Sequence, residues 1–191
     1  MTLCRIYYIV CRVRRGKHLI KVVDDYFPEW LVKNVSSDLE LMPVTYTNSS
    51  HKDFENARFF GNTLMKDDSF TGQYWWFIEY FNKCIYNDVC KEFNINHCAR
   101  ILLNGQLPNM NGWDHVDSDN EDHLSVIYMG HGTSGDTVIG DKRVTFKEGR
   151  MVVFNSHLVH RGEAPTEGYR VSLGAVYPLF DPFKLSNLVG E

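Results

Sequence analysis

Apolar residues return along the chain at two different spacings, and the spacing changes near residue 98. Between residues 72 and 93 they recur every three or four positions, which is the repeat of one helix face. These residues are Tyr74, Phe77, Ile78, Phe81, Ile85 and Val89. The pattern predicts a long helix over 72–93 whose apolar face packs on a sheet.

Shorter elements precede this helix. The β-branched run over 18–23 predicts a strand. Acidic residues and Pro28 then predict a helix that starts at Asp24–Glu29 and ends near Ser36–Ser37. Residues 44–50 predict a second strand followed by a polar turn.

After Cys98, short apolar runs alternate with turns rich in Gly, Asn, Asp and Pro. The predicted strands are Ala99–Leu103, Leu124–Met129, Thr137–Ile139, Val144–Phe146, Met151–Phe154 and Val171–Tyr177. Several short strands between turns indicate two facing sheets around a cavity. The sequence therefore predicts a single α+β domain over 1–191. An N-terminal α/β support, 1–97, braces a C-terminal double-stranded β-helix (jelly roll), 98–180.

Composition narrows the functional classes. The chain has 191 residues, 43% hydrophobic and 23% charged, as in ordinary soluble domains. A net charge of −4 argues against nucleic acid or an anionic membrane as a partner. Five scattered cysteines without a C-x-x-C pair predict reduced thiols in a cytoplasmic protein. The apolar run within Leu3–Val13 is too short for a signal peptide core or a membrane span.

The chemistry concentrates at Gly112-Trp113-Asp114-His115-Val116-Asp117. In an extended segment His115 and Asp117 point to the same side. A later histidine, His160 or its neighbour His157, can supply a third ligand from a returning strand. Two imidazoles and one carboxylate are the ligands typical of non-haem Fe(II). The spacing predicts an iron site at His115, Asp117 and a histidine of the 157–160 segment.

Arg170 and Ser172 suggest what binds beside this metal. Arg170 lies in an apolar strand after the last histidine, and its planar guanidinium can form two parallel hydrogen bonds with a carboxylate. Ser172 is two residues further on, so its hydroxyl lies on the same face of the strand. The pair predicts a binding site for the distal carboxylate of a dicarboxylate ligand.

These three motifs, His115-Val116-Asp117, His160-Arg161-Gly162 and Arg170-Val171-Ser172, resemble those of the iron(II)- and 2-oxoglutarate-dependent dioxygenases. Residues Ala99–Leu179 are similar to the prolyl-hydroxylase-like branch, including its small bacterial and phage members. The family pattern places an apolar residue before the ligand histidine and a basic or polar one after it. This pattern favours His160 over His157.

The resemblance implies an enzyme that uses Fe(II), 2-oxoglutarate and O2 to hydroxylate a substrate. His115, Asp117 and His160 would be its metal and catalytic residues, and Arg170 and Ser172 its 2-oxoglutarate contacts. Tyr128 would assist at the distal carboxylate. The branch suggests a prolyl or other protein side chain as substrate. A free amino acid or small metabolite is an alternative, as is a cupin-like metal protein that does not use 2-oxoglutarate.

Overall fold

A computed structural model describes residues 19–49, 58–71, 75–91 and 93–179. Within these ranges the strands are β1 (Ile20–Val23), β2 (Thr45–Ser49), β3 (Arg58–Lys66), β4 (Ser69–Phe70), β5 (Arg100–Gln106), β6 (His123–Gly132), β7 (Thr137–Ile139), β8 (Lys142–Val144), β9 (Met151–Asn155), β10 (His160–Gly162) and β11 (Arg170–Pro178). The α-helices are α1 (Glu29–Leu41) and α2 (Trp75–Cys84), and α2 continues as a π-helix, Ile85–Val89.

The described strands form two antiparallel sheets. The major sheet has the order β1-β9-β6-β11-β5-β3-β2, with β4 paired to β3, and the minor sheet has the order β10-β7-β8. Strands from both halves of the chain therefore share the major sheet. A mostly antiparallel fold with two sheets and few helices is jelly-roll-like.

The two faces of the major sheet have different coverings. On one face α1 and α2 bury the larger core, in which Phe27, Phe77 and Phe81 pack around Tyr128 with ring centroids 5.7–6.0 Å apart. On the other face the minor sheet encloses a smaller apolar cluster of Met129, Ile139, Val144, Val152 and Phe154. This second face is the one that carries the site described below.

Helix α1 follows its apolar periodicity. Leu31, Val35 and Leu39 are buried at four-residue spacings, and Glu29 lies in the first turn, where an acidic group is favourable. Ser36 donates a hydrogen bond to the carbonyl of Gly130 at 3.1 Å. The helix approaches β6 so closely here that a Cβ on Gly130 would lie 2.5 Å from Leu39 Cδ1. Any larger residue here would force the Leu39 side chain to shift where α1 crosses the sheet.

Several predicted boundaries differ from those observed. Helix α1 extends to Leu41, past the predicted end at Ser36–Ser37. The predicted helix over 72–93 is α-helical only to Cys84, and its residues 72–74 and 92 lie outside the described ranges. The predicted strand Val144–Phe146 ends at Val144, because the Phe146 N–H bonds to Asp136 Oδ1 at 3.1 Å instead of a strand partner.

Strand β3 was absent from the predicted elements for a structural reason. Its register shifts between Thr63 and Met65, and Leu64 and Met65 are both buried. Such an irregularity breaks the period of two that marks a strand in sequence.

The predictions about the cysteines and the N-terminal apolar run can be compared with the structure only where it describes the residues concerned. Cys84, Cys90 and Cys98 are buried free thiols. Residues Leu3–Val13, His18 and Ser50 lie outside the described ranges. Among the described helices, none combines the length and the apolar character that a bilayer crossing requires.

Candidate metal centre

His115 and His160 face each other across a short backbone bridge. The His115 N–H donates to the His160 carbonyl at 3.0 Å, and the His160 N–H donates to the His115 carbonyl at 2.8 Å. Each ring also donates from Nδ1 to a carbonyl two residues earlier, Trp113 O at 2.8 Å and Leu158 O at 2.9 Å. Both imidazoles are thus held in the tautomer that leaves Nε2 free to bind a metal.

Asp117 completes the cluster. Its backbone N–H donates to Ser156 O at 3.0 Å, which anchors this segment to the turn after β9. Its Oδ2 lies 3.5 Å from His160 Nε2. One potential ligand atom from each of His115, Asp117 and His160 lies within 4.8 Å of the others. The structure therefore brings the three predicted residues together.

The protonation states of His160 and Asp117 favour the binding of a cation between them. Burial lowers the pKa of His160, which favours the neutral imidazole that a metal requires. Burial acts to raise the pKa of Asp117, but His160, Arg100 and the Ser125 hydrogen bond outweigh it and lower that pKa below its usual value. An ionised carboxylate beside two imidazoles is a donor set that fits Fe(II) and similar divalent ions.

Two neighbours hold the Asp117 carboxylate, and the sequence did not single out either of them. The Ser125 hydroxyl donates to Oδ2 at 2.6 Å and lies 2.9 Å from the hydroxyl of Ser156. Arg100 Nη2 donates to Oδ1 at 2.5 Å. One available signal was the sequence Arg100-Ile101-Leu102, which places a charged side chain at the start of an otherwise apolar strand.

Arg170 is buried on the same face of the major sheet. Its guanidinium donates to Gly135 O at 3.0 Å, Gln106 Oε1 at 2.5 Å and Thr137 Oγ1 at 2.9 Å. All three acceptors are neutral, and none of the described carboxylates forms an ion pair with it. Burial lowers the pKa of Arg170 to about 10, so the group is still cationic at neutral pH. The result is a buried positive charge whose described hydrogen-bond partners are all neutral, while the Asp136 carboxylate acts on it without a direct ion pair.

The backbone connects this charge to the metal cluster. A Cβ on Gly162 would lie 2.7 Å from Arg170 Nη1, so the guanidinium packs directly on β10. Gly162 is two residues after His160, a distance of roughly 7 Å along a strand. Ser172, also buried, lies on the same face of β11 as Arg170.

Tyr128 does not join these residues. Ser125, which contacts Asp117, and Tyr128 are three positions apart on β6, so their side chains lie on opposite faces. The Tyr128 ring packs with Phe27, Phe77 and Phe81 under the helices. Its expected role at the distal carboxylate is therefore wrong for this geometry. Met129, the next residue, lies on the metal-side face.

No family model and no curated protein matches the chain. Solved structures do. A 2OG-Fe(II) oxygenase family oxidoreductase from Burkholderia pseudomallei is 14% identical, with a TM-score of 0.65, covering 83% of this chain and 84% of that one. A Pseudomonas putida prolyl-4-hydroxylase is 14% identical, with a TM-score of 0.59 and coverage of 85% and 94%.

A prolyl hydroxylase from Trichoplax adhaerens, solved in complex with a hypoxia inducible factor peptide fragment, has a TM-score of 0.63 at 13% identity, covering 90% of this chain and 87% of that one. These identities are too low to transfer an activity, but the agreement extends over most of each chain. The protein has the fold seen in 2OG-Fe(II) oxygenases and prolyl hydroxylases.

Proposed function

We propose that the protein is an Fe(II)- and 2-oxoglutarate-dependent oxygenase that hydroxylates its substrate. One observation carries this proposal. A buried arginine whose described hydrogen-bond partners are all neutral lies on the same sheet face as a His–Asp–His cluster. A plain metal-binding protein has no need of that buried charge, whereas a dicarboxylate that reaches from the metal would neutralise it.

In this proposal His115, Asp117 and His160 hold Fe(II). Two neutral imidazoles and one carboxylate leave a net positive charge at the metal, which favours an anionic ligand. When bound together, iron, 2-oxoglutarate and O2 supply an oxidative decarboxylation that is coupled to substrate hydroxylation. The chain's part is to bind and orient these groups and to keep water from the reacting atoms.

Arg170 binds the C5 carboxylate of 2-oxoglutarate. A guanidinium has five N–H donors, and three of those of Arg170 are used within the described protein. Its terminal nitrogens therefore keep donors for a carboxylate, and the three neutral acceptors hold the plane of the group in one orientation. Ser172 adds its hydroxyl from the same face.

The substrate that we propose is a prolyl or other protein side chain. Support comes from the fold shared with prolyl hydroxylases and from the peptide bound to one of them. Prolyl peptides are therefore the first substrates to test, with free amino acids in the same assay.

We also propose that residues 1–191 form one domain whose core over 98–180 is a double-stranded β-helix.

The proposal predicts succinate formation from 2-oxoglutarate that depends on Fe(II). Under anaerobic conditions, Fe(II) and 2-oxoglutarate together should produce a visible charge-transfer band that neither produces alone. Replacing His115, Asp117 and His160 together with alanine should abolish both signals. Succinate formation that persists in the triple variant would exclude this function.

A further inference from the structure

The Asp117 carboxylate is hydrogen-bonded at both of its oxygens, and the two partners differ in charge. Ser125, a neutral hydroxyl, donates to Oδ2, the oxygen that lies 3.5 Å from His160 Nε2. Arg100, a cation, donates to Oδ1 at 2.5 Å. The oxygen near His160 therefore has a neutral partner, and the other oxygen is occupied by an ion pair.

Arg100 is well placed to maintain this arrangement. It is the first residue of β5, paired with Val176 of β11 and Lys66 of β3, so its backbone is fixed by the sheet. Its side chain is 38% exposed and that of Asp117 only 16% exposed, so the ion pair lies at the rim of the cluster. Arg100 thus holds the carboxylate at the oxygen other than the one that lies 3.5 Å from His160 Nε2.

We propose that Arg100 is a positioning residue that limits Asp117 to presenting one oxygen, Oδ2, to the metal. This inference rests on the proposed function. A carboxylate released at Oδ1 can turn both oxygens toward the cation, and a second oxygen occupies a position that 2-oxoglutarate needs. Arg100 acts through Asp117 and touches neither metal nor cosubstrate.

The proposal predicts effects of opposite sign on two affinities. Loss of an ordinary orienting partner weakens metal binding by about 10- to 100-fold. Loss of Arg100 instead removes a positive charge from beside the cation and frees a second carboxylate oxygen. Both changes should strengthen binding of the metal. Affinity for 2-oxoglutarate should fall, because fewer metal positions are open to it.

The test compares three variants by anaerobic titration with Co(II) and then with 2-oxoglutarate. Arg100→Met removes the charge and the hydrogen bond at similar length, and Arg100→Lys keeps the charge. Arg150→Met is the matched control, because Arg150 forms a two-point ion pair with Asp24, at 2.7 and 2.9 Å, at the far end of β9 from Ser156. Thermal unfolding is measured for each variant.

We expect Arg100→Met to bind Co(II) as tightly as the wild type or more tightly. Its 2-oxoglutarate dissociation constant should rise about tenfold, and the intensity of its cobalt absorption should report the changed coordination. Arg100→Lys should recover most of the 2-oxoglutarate affinity. Arg150→Met should change the unfolding temperature alone.

Two results would overturn the inference: metal and 2-oxoglutarate affinities that fall together in Arg100→Met, or neither affinity changing. The first is the signature of a merely structural role. A wild-type protein that binds the metal but not 2-oxoglutarate would overturn the proposed function as well. The two failures are therefore distinguishable in one experiment.

Discussion

The two charged ends of the candidate site are built in opposite ways, and both depend on β5. At one end the first residue of the strand, Arg100, gives the anionic Asp117 a charged partner near the surface. At the other end the last residue, Gln106, gives the buried cation Arg170 a neutral partner. A charge with a neutral partner in the interior is costly unless a ligand completes it. The Arg170 end therefore depends more on the charge of its ligand than the Asp117 end does.

The largest effect should come from His160 at the metal end. His160→Ala removes a buried ligand and should weaken divalent metal binding by at least about 100-fold, more than loss of an outer partner costs. His157→Ala is the matched control, since His157 lies in the turn before β10 but outside the cluster. Equilibrium dialysis with Fe(II) or Co(II) measures both. Loss of binding in His157→Ala with retention in His160→Ala would reverse the ligand assignment.

At the Arg170 end we expect a smaller effect, which is limited to the binding of 2-oxoglutarate. Arg170→Ala should raise the 2-oxoglutarate dissociation constant about 10- to 100-fold, since a hydrogen bond to a charged group contributes about 1.5–3 kcal/mol. Affinity for 2-oxobutyrate, which lacks the C5 carboxylate, should stay unchanged, as should metal affinity. Arg170→Lys, which keeps the charge, provides a second variant if the alanine protein is unstable. Equal losses of affinity for 2-oxoglutarate and 2-oxobutyrate would show that Arg170 does not bind the distal carboxylate.

The smallest effect should come from Tyr128, which belongs to neither end. Its hydroxyl is buried and has no hydrogen-bond partner among the described residues. Tyr128→Phe should leave 2-oxoglutarate binding unchanged and raise the free energy of unfolding by about 1 kcal/mol, because a buried unpaired hydroxyl is unfavourable. Tyr177→Phe is the control, since its hydroxyl donates to Asn82 Oδ1 at 2.9 Å. It should lower that free energy by about 1 kcal/mol.

A weaker 2-oxoglutarate affinity in Tyr128→Phe would contradict the placement of this ring under the helices. Denaturant unfolding and anaerobic titration on the same samples separate the two effects. Such a loss would also weaken the comparison between the two ends, because Tyr128 would then contact the C5 carboxylate of 2-oxoglutarate beside Arg170 and Ser172.

The misassigned Tyr128 shows where reasoning from sequence stops. Strand β6 is buried or half-buried along its whole length, from His123 to Gly132. A strand covered on both faces lacks the alternation of polar and apolar residues that reveals which set points where. The faces are decided by tertiary packing, because the Tyr128 and Met151 pair lies in the core under the helices and Phe154, the partner of Ser125, lies in the smaller cluster on the other face.

Other features of the site were local enough to be predicted. His115 and Asp117 share a side because extended backbone repeats every two residues, and the same rule relates Arg170 to Ser172. The predicted strands Thr137–Ile139 and Met151–Phe154 agree with β7 and β9 to within one residue. Short-range geometry therefore determines both motifs and most strand positions.

What the sequence determined by itself is the set of chemical groups, namely two imidazoles, a carboxylate and an arginine on predictable strand faces. The tertiary structure decided which groups surround them. Arg100 reaches Asp117 across 17 positions, Gln106 reaches Arg170 across 64, and Thr137 reaches Arg170 across 33. Such contacts depend on strand order and register, which no local spacing encodes, because pairing is set by the packing of the whole sheet.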